Sequence, residues 1–143
     1  LDYETVMKAT LLLTKNMNEV EKQFRNVVFN VFAHNRDDHA KNFSFIMDEK
    51  GSWSVSPAYD LTFSVGPGGE HCTTLMGNGR NPGTQELLKL SRVVKIQEKK
   101  ALSIITEVKE AISQWKKFAK EAGVSTQSSK NIEKFILLNI KLN

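Results

Sequence analysis

An acid, an imidazole and a carboxamide fall at D-x-H-x-x-N spacing on Asp37, His39 and Asn42. A second acid, Asp60, comes after two short runs of strand-forming residues joined by a turn. A hydroxyl is a poor nucleophile until a base accepts or orients its proton, and phosphoryl transfer needs cations that absorb charge on the transferred group. The order acid, amide, hairpin, second acid therefore indicates a site that holds a metal–nucleotide and activates a hydroxyl.

Each of these side chains has a predicted role in such a site. Asp37 is the candidate base, because one carboxylate can take the proton of the hydroxyl. Asn42 and Asp60 are the candidate metal ligands, since a hard cation such as Mg²⁺ prefers oxygen ligands. His39 is a candidate donor to the γ-phosphate of ATP, and Lys41 is a weaker candidate for phosphate contact.

Other titratable side chains nearby have simpler interpretations. Asp38 is expected to be a loop charge or a cap, and His71 a lone histidine in a glycine-rich loop. His34 is expected at a helix end, where an imidazolium interacts favourably with the helix dipole. The one cysteine, Cys72, cannot form an internal disulfide, so it is interpreted as an inert loop thiol in a reducing cytoplasm.

The composition is that of one globular domain. The chain has 143 residues, and its 40% hydrophobic content is enough for a core. No apolar run reaches the roughly 18 residues that a membrane span needs, and the N-terminus lacks the pattern of a signal peptide. We therefore expect a single cytoplasmic domain over residues 1–143 with no membrane partner. Because the first residue is Leu1 and not Met, we also expect a piece of a longer protein.

The net charge of +4 is unevenly distributed along the chain. Residues 1–84 contain 8 Lys and Arg against 10 Asp and Glu, whereas residues 85–143 contain 12 against 6. A basic helical half suits contact with nucleic acid or an acidic protein. This half lacks clustered arginines and interleaved aromatic residues, so a solvated lysine face is the favoured interpretation.

Apolar periodicity predicts a mainly α domain around the candidate site. Helices are predicted over 3–15, from about 18 to 32, over 85–94, along an apolar stripe from 101 to 119, and over 128–142. Two strands, 43–47 and 53–55 with a turn at 48–51, are predicted to form a small β-hairpin beside the catalytic loop. The glycine-rich segment 64–83 is predicted to be a loop with a short strand at 73–76.

Polar residues at the helix starts supply candidate caps. Asp2 precedes the first helix, and Asn18 with Glu21 forms an N-x-x-E start signal for the second. Thr84 is the candidate cap of the third helix, and Gly123 is expected to end the long apolar stripe.

The catalytic core of the HipA family resembles two stretches of this chain, HNRDDHAKNFSF at 34–45 and SPAYDL at 56–61. The run GPGGEH at 66–71 also resembles the segment after the second acid in many members. HipA proteins are Ser/Thr kinase toxins of bacterial toxin–antitoxin modules. Their D-x-H-x-x-N core is similar to the catalytic loop of phosphatidylinositol kinases, and more distantly to that of protein kinases. The resemblance is dense over 34–62 and thin in the helical tail.

This resemblance implies a role for each candidate residue. Asp37 would be the catalytic aspartate and Asn42 a metal ligand. Asp60 would be the metal-binding acid that plays the part of the D-F-G aspartate of protein kinases, and His39 falls on the motif histidine of the family. The cofactors implied are ATP and Mg²⁺, and the fold implied is the helical C-terminal lobe of a kinase-like protein.

The resemblance also implies partners and a missing part. A HipB-like helix-turn-helix antitoxin would bind the protein and connect it indirectly to DNA, and the substrate would be a protein Ser/Thr, for example on an aminoacyl-tRNA synthetase. HipA-like kinases hold ATP between two lobes, yet nothing before Asp37 contains a glycine-rich phosphate loop. We therefore expect the N-terminal nucleotide-binding lobe to be absent from this chain, and the isolated chain to be inactive.

Two alternative functions use the same residues. A metal-dependent hydrolase would use His34, Asp37, His39 and Asp60 around a metal with a bound water, although Asn42 has no natural place in that site. A helical interaction module would dock an antitoxin or DNA through its basic tail, which is compatible with the kinase interpretation.

Overall fold

Helix α2 lies at the centre of the fold, with the other helices and a two-stranded sheet around it. The computed structural model describes residues 1–142 and confirms a mainly α architecture with one small hairpin. Its elements are α1 Tyr3–Thr14, α2 Met17–Phe32, β1 Phe45–Met47, β2 Trp53–Val55, α3 Thr84–Val93, α4 Glu98–Ser113, α5 Trp115–Glu121 and α6 Thr126–Leu142.

The core is built on the apolar face of α2. That face is buried as the sequence periodicity predicts, and helices α1, α3, α4 and α6 contribute side chains to the same core. Residues three or four positions apart lie on the same side of a helix, so one apolar stripe of α2 can pack against several surrounding helices. The buried α2 residues of this stripe are Val20, Phe24, Val27, Val28, Val31 and Phe32.

Helix starts agree only in part with the predicted caps. Asp2 caps α1 as expected, since its carboxylate accepts from Glu4 N at 2.8 Å. The cap of α2 is Asn16 and not Asn18, because the Asn16 side chain accepts from the backbone N–H of Asn18 at 2.9 Å. At α3 the cap position is Gly83, and the Glu86 carboxylate accepts from its backbone N–H at 3.0 Å. Thr84 is therefore the first helical residue there.

The apolar stripe from 101 to 119 predicts one long helix, but it lies on two consecutive helices, so that prediction is wrong. The break falls at Gln114, between α4 and α5. The Ser113 hydroxyl donates to the Glu110 carbonyl at 2.6 Å, a local bond of the kind that competes with the helix ladder. The break lets the Trp115 indole N–H reach the Ser129 carbonyl of α6 at 3.0 Å. Gly123, at φ +72°, follows the end of α5 as expected.

The hairpin is held against α2 by a polar clamp. Strands β1 and β2 are antiparallel, with Phe45 opposite Val55 and Met47 opposite Trp53. The second strand has the predicted bounds, whereas the first starts two residues later than predicted. The Glu19 carboxylate accepts from Val55 N at 2.6 Å, and Lys22 Nζ donates to the Val55 carbonyl at 2.7 Å. One α2 turn thereby satisfies both backbone groups of a strand residue.

The predicted strand at 73–76 does not form as a regular element. Thr74 makes an isolated parallel bridge with Asp2, and Leu75 pairs with Asn78 across a tight turn. The backbone N–H and C=O groups of Thr74 bond to the N-terminal residues, and those of Leu75 bond to Asn78 within the turn. These groups are therefore already paired and do not extend into a longer strand. No helix among residues 1–142 is long and apolar enough to cross a membrane.

Candidate functional site

The segment that follows α2 lies between two other backbone segments. Ser64 N donates to the His34 carbonyl at 3.0 Å, and Arg36 N donates to the Ser64 carbonyl at 3.3 Å. On the other side Cys72 N donates to the Arg36 carbonyl at 3.0 Å. The loop that presents Asp37 is thus held on both edges by main-chain bonds, which gives it strand-like rigidity without regular strands.

Three of the predicted site residues are brought together on this loop. Asp37 is half-exposed, and its Oδ1 lies 3.9 Å from His39 Nε2. Asn42 lies in a short 3-10 turn, Ala40–Asn42, and its Nδ2 donates to the Asp37 carbonyl at 2.9 Å. That bond uses the amide nitrogen of Asn42, and the amide oxygen makes no hydrogen bond within residues 1–142, so it is available to a cation.

Cys72, in the glycine-rich loop, lies close to the candidate base. Its Sγ lies 3.9 Å from Asp37 Oδ1. Burial raises the pKa of the Cys72 thiol, and the carboxylates of Asp38 and Asp37 raise it further. The thiol form is therefore favoured, which agrees with the inert role expected from sequence.

The second acid is connected to the first loop through the backbone. Asp60 has a left-handed backbone at φ +52°, and its carboxylate makes no hydrogen bond or ion pair within residues 1–142. Asn35 Nδ2 donates to the Asp60 carbonyl at 3.5 Å. The Tyr59 hydroxyl donates to the Lys41 carbonyl at 2.5 Å, while the Lys41 side chain is exposed.

A small polar cleft lies where these two segments meet. Its volume is about 20 Å³, and Asn42 lines it together with Tyr59 and Leu61, the two neighbours of Asp60. Further amide side chains of α2 and the loop after it line another part, namely Gln23, Asn26, Asn30 and Asn35, and residues of the hairpin segment complete the lining. The cleft has room for about one water molecule.

The available donors fit Mg²⁺ as a partly protein-bound ion. Asn42 offers an amide oxygen and Asp60 an unpaired carboxylate, both hard ligands. Within residues 1–142 no group of three or more His, Cys, Asp or Glu side chains is placed to hold a metal. Mg²⁺ typically takes one or two protein ligands and fills its other positions with water and substrate phosphates, so this donor set suits a metal–nucleotide.

Asp38 is fully buried and fully bonded, contrary to its interpretation as a loop charge. Its Oδ2 accepts from the Tyr3 hydroxyl at 2.5 Å and from His71 Nδ1 at 2.7 Å, and its Oδ1 accepts from Thr73 N at 3.1 Å. The Thr73 hydroxyl also donates to the Asp38 carbonyl. Burial opposes ionisation, but these hydrogen bonds outweigh it and hold the pKa of Asp38 below its usual value.

His71 is therefore not a lone histidine, because its imidazole lies against the Asp38 carboxylate. Sequence reasoning missed this pair, since two acids in succession gave no sign of which one faces inward.

His34 lies away from the candidate base, in an aromatic environment. It is buried between Phe63 and Phe135, with ring centroids 5.6 and 4.9 Å away. Burial, aided by Arg36 and His71, lowers the pKa of His34 to about 4. The imidazole is neutral near pH 7, so the expected favourable interaction with the helix dipole does not occur. The ligand set of the hydrolase alternative is accordingly not assembled within residues 1–142.

The fold is a mainly helical domain with one small hairpin, and comparison with known proteins gives its family. A family model of the HipA-like C-terminal domain matches residues 1–116, so the chain belongs to that family. No curated protein matches the chain.

A solved structure with a similar fold comes from a toxin–antitoxin complex. It is the Shewanella oneidensis MR-1 toxin–antitoxin system HipA, in complex with HipB and its operator DNA. The two chains superpose with a TM-score of 0.77 at 15% sequence identity. The match covers 99% of this chain but 35% of the other, so this chain spans about a third of that protein's length.

Proposed function

We propose that this chain is the catalytic lobe of a HipA-like serine/threonine protein kinase, the toxin of a type II toxin–antitoxin module. The reaction transfers the γ-phosphate of ATP to a Ser or Thr hydroxyl of a protein. The observation that carries the proposal is the D-x-H-x-x-N loop, in which Asn42 fixes the backbone of Asp37 and keeps its own oxygen unbonded. Family membership supports the same assignment.

Each side chain has a defined task in this reaction. The half-exposed Asp37 accepts or orients the proton of the attacking hydroxyl. Asn42 and Asp60 hold Mg²⁺, which when bound neutralises charge on the phosphates. His39 and Lys41 supply donors on the same loop toward the γ-phosphate.

The chain supplies only part of the nucleotide site. Its polar cleft measures about 20 Å³, whereas a small-molecule pocket has roughly 300–1,000 Å³. The chain also corresponds to 35% of the HipA chain that it resembles. Both observations support an N-terminal lobe, outside this chain, that covers the phosphates and completes the pocket.

The partners proposed are those of a toxin. The structurally similar HipA was solved together with HipB and operator DNA. We assign to this protein a HipB-like helix-turn-helix antitoxin, with DNA contacted only through that antitoxin. The substrate is a cytoplasmic protein with a Ser or Thr acceptor, of which an aminoacyl-tRNA synthetase is one example.

Neutral isosteres of the two acids test the proposal in the full-length protein. Asp37→Asn and Asp60→Asn should each lower ATP-dependent phosphorylation by about 100-fold or more, because they remove the base or a metal ligand. Asn tolerates the left-handed backbone of residue 60, so Asp60→Asn changes the charge and not the loop. Phosphate incorporation from labelled ATP is measured at several Mg²⁺ concentrations.

The matched control is Glu49→Gln, which neutralises an exposed acid in the hairpin turn. This variant should phosphorylate at the wild-type rate. Wild-type activity in Asp37→Asn would contradict the proposed function.

A further inference from the structure

A continuous path of hydrogen bonds joins the loop of the first acid to the backbone of the second. The Tyr3 hydroxyl donates to Asp38 Oδ2 at 2.5 Å and accepts from Asn30 Nδ2 at 3.0 Å. Asn30 Oδ1 accepts from Asn35 Nδ2 at 3.0 Å, and the same Nδ2 donates to the Asp60 carbonyl at 3.5 Å. The path starts one residue after Asp37 and ends on Asp60 itself.

The direction of every bond in the path is fixed. Asp38 is held as a carboxylate, so it only accepts. The single hydroxyl proton of Tyr3 is used on Asp38, which leaves the hydroxyl oxygen to accept from Asn30. The amide oxygen of Asn30 then faces Asn35. The four side chains of the path are each at least 95% buried, namely Tyr3, Asn30, Asn35 and Asp38. A change of hydrogen-bond partners within the path would therefore leave buried polar atoms unpaired, at considerable cost in free energy.

The two candidate catalytic acids have no comparable support for their own side chains. Among residues 1–142, the polar contacts of the Asp37 carboxylate are both long, at 3.9 Å to His39 Nε2 and 3.9 Å to Cys72 Sγ. The Asp60 carboxylate has no hydrogen bond or ion pair within residues 1–142. Their relative placement therefore depends on the backbone. The buried path connects the two backbone segments through side chains, in addition to the bond from the Tyr59 hydroxyl to the Lys41 carbonyl.

We propose that Tyr3, Asn30 and Asn35 are positioning residues that set the Asp60 metal ligand against the Asp37 base. The assignment rests on the proposed kinase function. Displacement of a reacting group by about 1 Å can lower a rate by roughly 100-fold, so a buried path that fixes the separation of the two loops has a direct effect on the chemical step. None of the three residues touches the substrate in this scheme.

Removal of one oxygen atom breaks the first two of the four bonds in the path. Tyr3→Phe deletes the hydroxyl that bonds both Asp38 and Asn30, and it keeps the ring that packs edge-on against Phe43 at 5.7 Å. In the full-length protein we expect kcat to fall by about 10- to 100-fold. The Mg²⁺ concentration for half-maximal rate should rise, because Asp60 is no longer held in place.

Thr10→Val is the matched control. Thr10 is also fully buried on α1, and its hydroxyl donates to the Val6 carbonyl of the same helix, off the path. If Tyr3→Phe lowered kcat only because it destabilises the fold, Thr10→Val, which also removes a buried hydroxyl, should lower kcat to a similar extent. The control should therefore keep the wild-type kcat and Mg²⁺ requirement when assayed well below its unfolding temperature.

Hydrogen exchange gives a readout that does not need activity. Peptides covering residues 57–65 should exchange faster in Tyr3→Phe than in Thr10→Val, although those residues lie far along the chain from the substitution. Peptides from α4 should be unchanged in both. If Tyr3→Phe does not fold, Asn35→Ala cuts the path at its last bond and carries the same expectations.

The outcomes separate the two proposals. A wild-type protein without kinase activity, or an active Asp37→Asn variant, overturns the proposed function. Hydrogen exchange of the peptides covering 57–65 then still tests whether the path of hydrogen bonds holds the Asp60 segment in place. An active wild type with an inactive Asp37→Asn variant upholds the function. In that case, equal kcat and equal exchange in Tyr3→Phe and Thr10→Val overturn the positioning role.

Discussion

Two adjacent acids in this chain have opposite environments, and that difference agrees with the separate roles proposed for them. The Asp37 side chain is half-exposed and weakly contacted, as a group that must meet a substrate requires. Asp38 is fully buried and accepts from three donors, namely Tyr3, His71 and Thr73. An ionised carboxylate with this many hydrogen bonds anchors its loop, so the neighbouring residue is held while its carboxylate stays free.

Buried His34 predicts a loss of stability in mild acid. Its folded pKa of about 4 lies below the ordinary value of 6.5, so the unfolded chain binds a proton first as the pH falls. The stability is present above pH 6.5 and decreases between pH 6.5 and pH 4. Because His34 is almost completely buried, we expect a decrease of roughly 2–3 kcal/mol over this window. Urea unfolding at a series of pH values measures it.

The control for this effect is His34→Asn, which removes the titrating group. Asn accepts the left-handed backbone of residue 34, where φ is +58°. Its stability should change less between pH 6.5 and pH 4 than that of the wild type. Asp38 does not contribute to the change between pH 6.5 and pH 4. Because its pKa is lowered, the stability that its carboxylate provides is lost only below about pH 3.8. Equal slopes in the two proteins would contradict the assignment.

At the scale of elements, the glycine-rich loop is attached to the D-x-H-x-x-N loop through Arg36. The guanidinium donates to the Gly69 carbonyl and, at 2.8 Å, to the Arg80 carbonyl. Gly66 lies directly against this residue, because a Cβ there would be 2.7 Å from the Arg36 Cβ and 2.0 Å from the Glu70 carbonyl oxygen. A glycine at position 66 is therefore needed for the close approach of the two loops.

Gly66→Ala should destabilise the protein by about 3 kcal/mol or more, because the left-handed backbone and the overlap add. Gly68→Ala is the matched control, since Gly68 also has a positive φ of +63° but open space around it. It should cost only about 1–2 kcal/mol. Thermal or urea unfolding compares the two variants, and equal destabilisation would show that the contact with Arg36 is not the cause.

The elements differ in how far the sequence predicts them, for a physical reason. The buried stripe of α2 and the position of the hairpin follow from local periodicity, and both are confirmed. The clamp from Glu19 and Lys22 to Val55, and the bond from Tyr3 to Asp38, join residues far apart in the chain. Single polar residues carry no period, so a contact of this kind has no signature until the fold is known.

At the scale of the whole molecule, the helical tail belongs to the same core as α2 and contacts the end of that helix. The family match ends at residue 116, yet α6 beyond it packs Ile136 into the core. The Asn139 amide donates to the Val31 carbonyl at 3.1 Å and lies 3.0 Å from His34 Nδ1. Some basic residues of this half are paired with acids, as Lys100 is with Glu21 of α2 at 3.3 Å, which agrees with a solvated face more than with a nucleic-acid surface.

The polar cleft predicts how the isolated chain behaves toward nucleotide. With a volume of about 20 Å³, roughly that of one water molecule, the cleft cannot enclose ATP. The isolated chain should therefore show negligible ATP-dependent phosphorylation, and calorimetric titration with Mg·ATP should show no saturation at concentrations that saturate the full-length protein. A cooperative thermal transition of the isolated chain establishes first that it is folded. Measurable phosphorylation by that folded chain, abolished by Asp37→Asn, would mean that the nucleotide site is complete without a second lobe.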